Sequence, residues 1–412
     1  MRWSVGFLFF LNFWVSVASA QPVFEIVKPV QDLQVAEKVA DDNLNIYRPL
    51  WSSIGQYLAA EMIGARERKL VVIDVTATNF KSNKLESHKY EQKTGSQARS
   101  SGRRPWQTKD SANLGLTWSI SNASEDLCVY VGSGDKGYYN LYQDQASKPN
   151  NPRLFLKKMT GKISSVQHAM FPDYHPTENV VAFCLGSNDF LMLKLMQAGD
   201  SFTTRGLVSG KAFTASNPKF SPVSTRRETH LAFVGGADGA NDIYVLTLRN
   251  LSSTTMKSTG LEESEPKQLV NWKSVESHPK WSPDGRRIAF LSTRGHDKEK
   301  GVATLYVINA DGSGEAKKLA DNVIKSDNDT FVWHPDGDYI LFSKHAYEEK
   351  NPICYVSANG GQITELDTGT LLNSDLALSP DGSQLAFIAH GKNNSHDLTW
   401  KKLYVAKLSK VR

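Results

Sequence analysis

From residue 113 onward, short apolar runs alternate with turn residues in a pattern that keeps returning. The clearest copy is Trp281-Ser282-Pro283-Asp284-Gly285-Arg286-Arg287-Ile288-Ala289-Phe290, and it recurs from Trp333 to Phe342 and from Leu378 to Phe387. Each copy reads as an inner strand ending in an aromatic or apolar residue, a Ser/His-Pro-Asp-Gly turn, and a second apolar strand. Pro presets φ and Gly accepts positive φ, so chemistry dictates the turn. Weaker copies stand upstream. Trp118-Ser119 leads to Leu127-Cys128-Val129, Tyr174-His175-Pro176 to Val181-Ala182-Phe183, and Phe220-Ser221-Pro222 to Leu231-Ala232-Phe233. The six anchors are Ser119, His175, Ser221, Ser282, His334 and Ser379, separated by 56, 46, 61, 52 and 45 residues. That spacing is close to the length of one four-stranded propeller blade. A third apolar run follows in each copy, such as Phe190–Leu195 or Ile353–Val356. Asp311-Gly312 and Asn359-Gly360 then suit tight hairpins.

The pattern predicts an all-β fold, a six-bladed β-propeller over residues 113–412. Its last blade is a strand short, because four residues follow the run Leu403–Leu408. An open sheet edge is a liability that ring closure removes. An N-terminal strand is expected to complete it: Lys69–Thr76, with Val23–Val27 as the alternative. Deleting residues 69–76 should then destabilise the whole ring. Asp32–Arg66 intersperses apolar with polar residues and contains the helix-forming stretch Gln56–Met62, so residues 21–68 read as a short helical segment. Residues 69–80 read as the closing strand, and residues 81–112 as a flexible basic linker. Residues 1–20 combine Arg2, an apolar run from Val5 to Val17 and Ala18-Ser19-Ala20. This is the form of a secretory signal, too short for a comfortable membrane span. It implies a periplasmic or secreted chain with no stable membrane insertion after cleavage.

Charge narrows the partners. With 48 basic and 43 acidic residues the net charge is +5, an excess too small to call for nucleic acid. Cys128, Cys184 and Cys354 are odd in number and scattered over the repeats, so they read as buried free thiols. Four residues before the anchors stand Gly115, Phe171, Asn217, His278, Thr330 and Asp375, with Glu276 and Asp329 just upstream of two of them. These positions should line one mouth of the central channel. Glu276, His278, Asp329, Asp375 and Asn217 are the candidate binding residues there. A metal centre would need several His or carboxylate ligands from different blades, and His278 is the lone imidazole of the ring, so no metal or other cofactor is assigned. His175 and His334 replace the Ser of the turn and are expected to bond local backbone. No G-x-S-x-G elbow or phosphate loop occurs, and Gly132–Gly137 joins two strands, so no catalytic residue is assigned.

The run Pro279-Lys280-Trp281-Ser282-Pro283-Asp284-Gly285, with Ile288-Ala289-Phe290, Leu305-Tyr306-Val307 and Asp311-Gly312, resembles the TolB-type WD40-like propeller repeat. The resemblance covers roughly residues 113–408 and is strongest in the last three copies. It implies a periplasmic propeller that binds a protein or cell-envelope component without catalysis. Similar repeats occur in the propellers of prolyl oligopeptidase-like peptidases and of oligogalacturonate lyases. The first comparison lacks a hydrolase segment here. The second leaves an alternative, a metal-assisted polysaccharide lyase or hydrolase acting at the channel mouth through His278.

Overall fold

A computed structural model describes residues 23–33, 38–39, 42–43, 45–63, 68–75, 88–91, 115–119, 127–133, 139–145, 153–154, 169–185, 190–195, 204–207, 213–237, 241–251, 260–296, 301–326, 329–346, 350–390 and 401–411. These residues are strands and turns without a helix. The strands pair into seven antiparallel sheets of four or five strands, plus one two-stranded ribbon.

The first sheet is Asn45–Trp51, Tyr57–Ile63, Arg68–Asp74 and His88–Glu91. The second begins at Leu116–Trp118, the third at Ala169–Tyr174 and the fourth at Phe213–Phe220. The fifth comprises Glu276–Trp281, Arg287–Ser292, Val302–Asn309 and Lys317–Ile324, and the sixth begins at Phe331–Trp333. The seventh comprises Leu371–Leu378, Gln384–His390 and Lys402–Lys410, with Phe24–Asp32 added to its outer edge.

Second strands are apolar without alternation because both of their faces are covered. Ile288 and Phe290 pack toward the fourth sheet, while Ala289 and Leu291 pack toward the sixth. Each of the seven hydrophobic clusters fills one seam, and the cluster joining Ala377, Ile388 and Val405 to Ile46, Trp51 and Ile73 brings the seventh sheet against the first. The result is a β-propeller.

Four expectations are corrected. The helical segment expected within residues 21–68 is β-structure, and it begins a seventh sheet where six were expected. Trp51-Ser52-Ser53-Ile54-Gly55 followed by Leu58-Ala59-Ala60 keeps the spacing of Trp281-Ser282-Pro283-Asp284-Gly285 and Ile288-Ala289-Phe290. Burial of Leu58, Ala59 and Ala60 overrides their helical propensity. Lys69–Thr76 does not close the ring, because Arg68–Asp74 already has both edges paired, to Tyr57–Ile63 and His88–Glu91. Closure falls to the alternative: Phe24 pairs with Lys410, Ile26 with Leu408 and Asp32 with Tyr404. Within the stretch expected as a flexible basic linker, 81–112, His88–Glu91 is a strand. The remainder of that stretch, 81–87 and 92–112, and residues 1–20, expected as a secretory signal, lie outside the described residues.

Closure is anchored by Phe24. Its ring is 2% exposed and lies 4.7 Å from His334 and 5.2 Å from both Tyr339 and Tyr355, centroid to centroid. The Val23 amide donates to Tyr355 Oη at 2.7 Å. The three cysteines are buried and unbridged, and burial, foremost, pushes the Cys354 thiol up to about 12.

The turn chemistry is realised as expected. Ser282 Oγ donates to Asp284 Oδ1 at 2.6 Å and accepts from the Arg287 amide at 2.9 Å, while Gly285 takes φ +68°. In the third sheet His175 stands in for the Ser, its Nδ1 accepting from the amides of Thr177 at 3.2 Å and Glu178 at 3.0 Å. The aromatic residue before the anchor has a second task. The indoles of Trp51, Trp118, Trp281 and Trp333 each donate across a seam, to the carbonyls of Ala377, Leu50, Lys219 and Lys280, at 3.2, 3.1, 2.8 and 3.0 Å.

Candidate functional site

The inner strands position the channel. Five of them are irregular in register just before the turn, between Tyr47 and Leu50, Met170 and Asp173, Ser216 and Lys219, Ser277 and Lys280, and Ser374 and Ala377. One residue inside each interruption takes a left-handed backbone: Arg48, Phe171, Asn217, His278 and Asp375, with φ between 49° and 55°. Gly115 does the same in the second sheet at φ 94°. Such conformations are strained for residues other than Gly, and bulges of this kind re-aim side chains. All six stand four residues before a turn anchor, five of them at expected ring positions. Thr330 is the expected ring residue that lacks this backbone.

Arg48, Asn217, Lys219, His278 and Asp329 line one cavity at the centre. Asp375 sits beside them, accepting from the Arg48 amide at 3.2 Å. Four of the five expected residues therefore gather here. Glu276 does not. It is fully buried at the seam of the fourth and fifth sheets, where Oε1 accepts from Ser274 Oγ at 2.6 Å and Ser292 Oγ at 2.8 Å. Its other oxygen turns toward the carboxylate of Asp242, itself 3% exposed.

The chain's basic residues in the channel were missed at the sequence level. Lys219 Nζ lies 3.1 Å from Asp173 Oδ1, joining the fourth sheet to the third. Lys280 Nζ lies 2.9 Å from Asp329 Oδ1 and donates to the Phe331 carbonyl at 2.7 Å, joining the fifth to the sixth. Asp173 Oδ2 also accepts from the Phe220 amide at 2.7 Å. A signal for them was present, since Asp173, Lys219 and Lys280 all stand two residues before an anchor. Arg48 was hidden with the unrecognised first repeat.

Burial opposes ionisation of Asp329, but Lys280, then Lys219 and Arg48, overcome it and hold the carboxyl far below the usual range. At Asp375 burial wins: the carboxyl is pushed up to about 6 despite Lys401 and Arg48. The arrangement is a set of opposite charges clamped across seams, with one imidazole among them. Among the described residues no three His, Cys, Asp or Glu side chains are grouped to hold a metal ion. The donors that are present fit such an ion poorly, because Asp329 is taken by Lys280 and Glu276 faces away from His278.

Residues 258–409 match the family described as the TolB beta propeller domain. These are TolB-type propeller repeats. They span the last three sheets. A curated relative, the uncharacterized peptidase YuxL of Bacillus subtilis (strain 168), is 30% identical over 192 residues, which is 37% of this chain and 28% of that relative. This chain thus matches less than a third of YuxL. An oligogalacturonate lyase in complex with manganese shares the fold with TM-score 0.55 and 12% identity, over 94% of this chain and 98% of that one. A puromycin-hydrolyzing peptidase of Mycobacterium tuberculosis gives TM-score 0.60 and 13% identity, over 94% of this chain and 55% of that one. Identities this low speak to architecture alone. Among the described residues, no helix is long and apolar enough to cross a membrane.

Proposed function

We propose that this TolB-type propeller is a non-catalytic scaffold, periplasmic or secreted, that binds a protein or cell-envelope partner. The observation that carries this reading is the pairing of the channel charges. Lys219 with Asp173 and Lys280 with Asp329 tie neighbouring sheets together, so the groups that would perform chemistry instead stiffen the ring. A rigid ring displaying loops at its two faces is suited to recognition. The secretory form of residues 1–20 supports the location.

The experiment is chemical cross-linking of the full chain in its native envelope or medium, with the cross-linked positions mapped. Cross-links from propeller loops to one recurrent partner support the scaffold. The rival reading, metal-assisted cleavage of an acidic polysaccharide at His278, is tested on the same protein by metal analysis and by incubation with oligogalacturonate. Stoichiometric metal that is lost in His278→Ala, together with an unsaturated product, would overturn the scaffold.

A further inference from the structure

The fifth sheet carries a second feature, away from the channel. The connector Asn271–Ser274 and the loop Thr293–His296 wall a cleft of about 510 Å3. Arg294, Gly295 and His296 also wall an adjoining one of about 390 Å3, with Lys318 and Asp321 opposite. Both loops lie at the end of the sheet where its first strand begins and its second ends, opposite the Ser282–Gly285 turn.

Arg294 is held in position by an aromatic ring. Its guanidinium carbon lies 4.7 Å from the centroid of the Trp272 ring. Trp272 is fixed in turn by Tyr306 at 4.9 Å and Phe290 at 5.8 Å. Among the described residues no acceptor or carboxylate pairs with the Arg294 guanidinium, and none pairs with the neighbouring Lys273. The channel lysines, by contrast, are all paired. Lys318 is paired as well, with Asp321, which also accepts from Thr304 Oγ1 at 2.9 Å. Among the described residues the cleft therefore presents Lys273, Arg294 and Lys318 against the carboxylate of Asp321.

A stacked guanidinium has lost much of its freedom already, so less is lost when it takes a carboxylate through two N–H donors. The chemistry of the ligand follows from what the indole has left to offer. Arg294 already lies over the ring that a sugar would stack on, while Phe290 and Tyr306 pack against it, so recognition falls to charge. Trp beside Arg is also the composition of a protein-binding hot spot.

We propose that this cleft docks an acidic segment of a protein partner, one carboxylate seated on Arg294 and a second on Lys273. The inference rests on the protein-binding reading above. Its test uses a fluorescein-labelled peptide of alternating Asp and Gly, and trigalacturonate as a second probe, on the full chain at about 20 mM salt, where screening is weak. Arg294→Gln and Lys273→Gln should each weaken peptide binding about fivefold or more, while Arg286→Gln, an exposed charge in the turn at the opposite end, leaves it within about twofold. Equal affinity in all three variants would overturn the proposal. So would trigalacturonate binding that depends on Arg294 when peptide binding does not. If the native partner still cross-links to the propeller in either case, the cleft assignment fails and the scaffold stands. An oligogalacturonate product would instead remove the scaffold reading itself.

Discussion

Glu276 offers the sharpest test of the seam between the fourth and fifth sheets. It is fully buried, its backbone amide donates to the Asn241 carbonyl at 2.8 Å, and it faces the buried carboxylate of Asp242. Tyr244 and the uncharged Gln268, Ser274 and Ser292 complete the surroundings. Burial, and then Asp242, push the Glu276 carboxyl up from 4.5 to about 7, against the pull of the two serine hydroxyls. A carboxyl so placed keeps its proton up to about neutral pH. The folded protein holds that proton more tightly than the unfolded chain does. Its contribution is therefore complete below about pH 4.5 and is lost as pH climbs through 7. A displacement of this size corresponds to about 3 kcal/mol, or about 3–4 °C in Tm for a chain of this length. Asp375 acts in the same direction and His175, lowered to about 4 by burial, in the opposite one. The quantity to measure is thus the difference between the wild type and Glu276→Gln, whose amide can donate to Asp242 without titrating. Urea unfolding at steps from pH 4.5 to 8 should show the variant gaining about 3 kcal/mol on the wild type as pH rises. Parallel stability curves over that range would refute the proton held by Glu276.

Three other outcomes follow from the geometry. Gly285→Ala meets both a φ of +68° and a clash of the added Cβ with Val223 Cγ2; it should lose about 2–3 kcal/mol in urea unfolding, whereas Gly295→Ala, strained but with open space around it, should lose about 1 kcal/mol. Phe24→Ala empties the socket formed by His334, Tyr339 and Tyr355 and should destabilise by about 3–5 kcal/mol, with proteolysis beginning at the seventh sheet. Trp333→Phe keeps the ring but removes the donor to the Lys280 carbonyl, so a loss of about 1 kcal/mol is expected; an unchanged urea midpoint would show that the indole bond contributes nothing.

Turn chemistry carried most of the architecture into the sequence. At Ser282 and Ser379, where Pro-Asp-Gly survives, strand limits and ring positions followed directly. The first repeat escaped notice because Ser53-Ile54 replaces Pro-Asp and because Leu58-Ala59-Ala60 is apolar without alternation, a pattern that a buried helix and a doubly covered strand share. Glu276 was misplaced for a related reason. The register shift between Ser277 and Lys280 falls between it and His278, so two residues that look adjacent in alignment face different surroundings. Bulges cannot be counted from composition, and pairings such as Lys280 with Asp329 depend on which sheets become neighbours.

The pairing of Phe24–Asp32 with Lys402–Lys410 sets an order of events. Among the described strands Phe24–Asp32 comes before the other sheets and its partner Lys402–Lys410 after them, so it must wait through synthesis of six intervening sheets with its edge unsatisfied. Completion of the ring is then a late, long-range step, slow by the ordinary relation between sequence separation and rate. Until it occurs, the growing chain presents open strand edges to its surroundings and depends on whatever shields them.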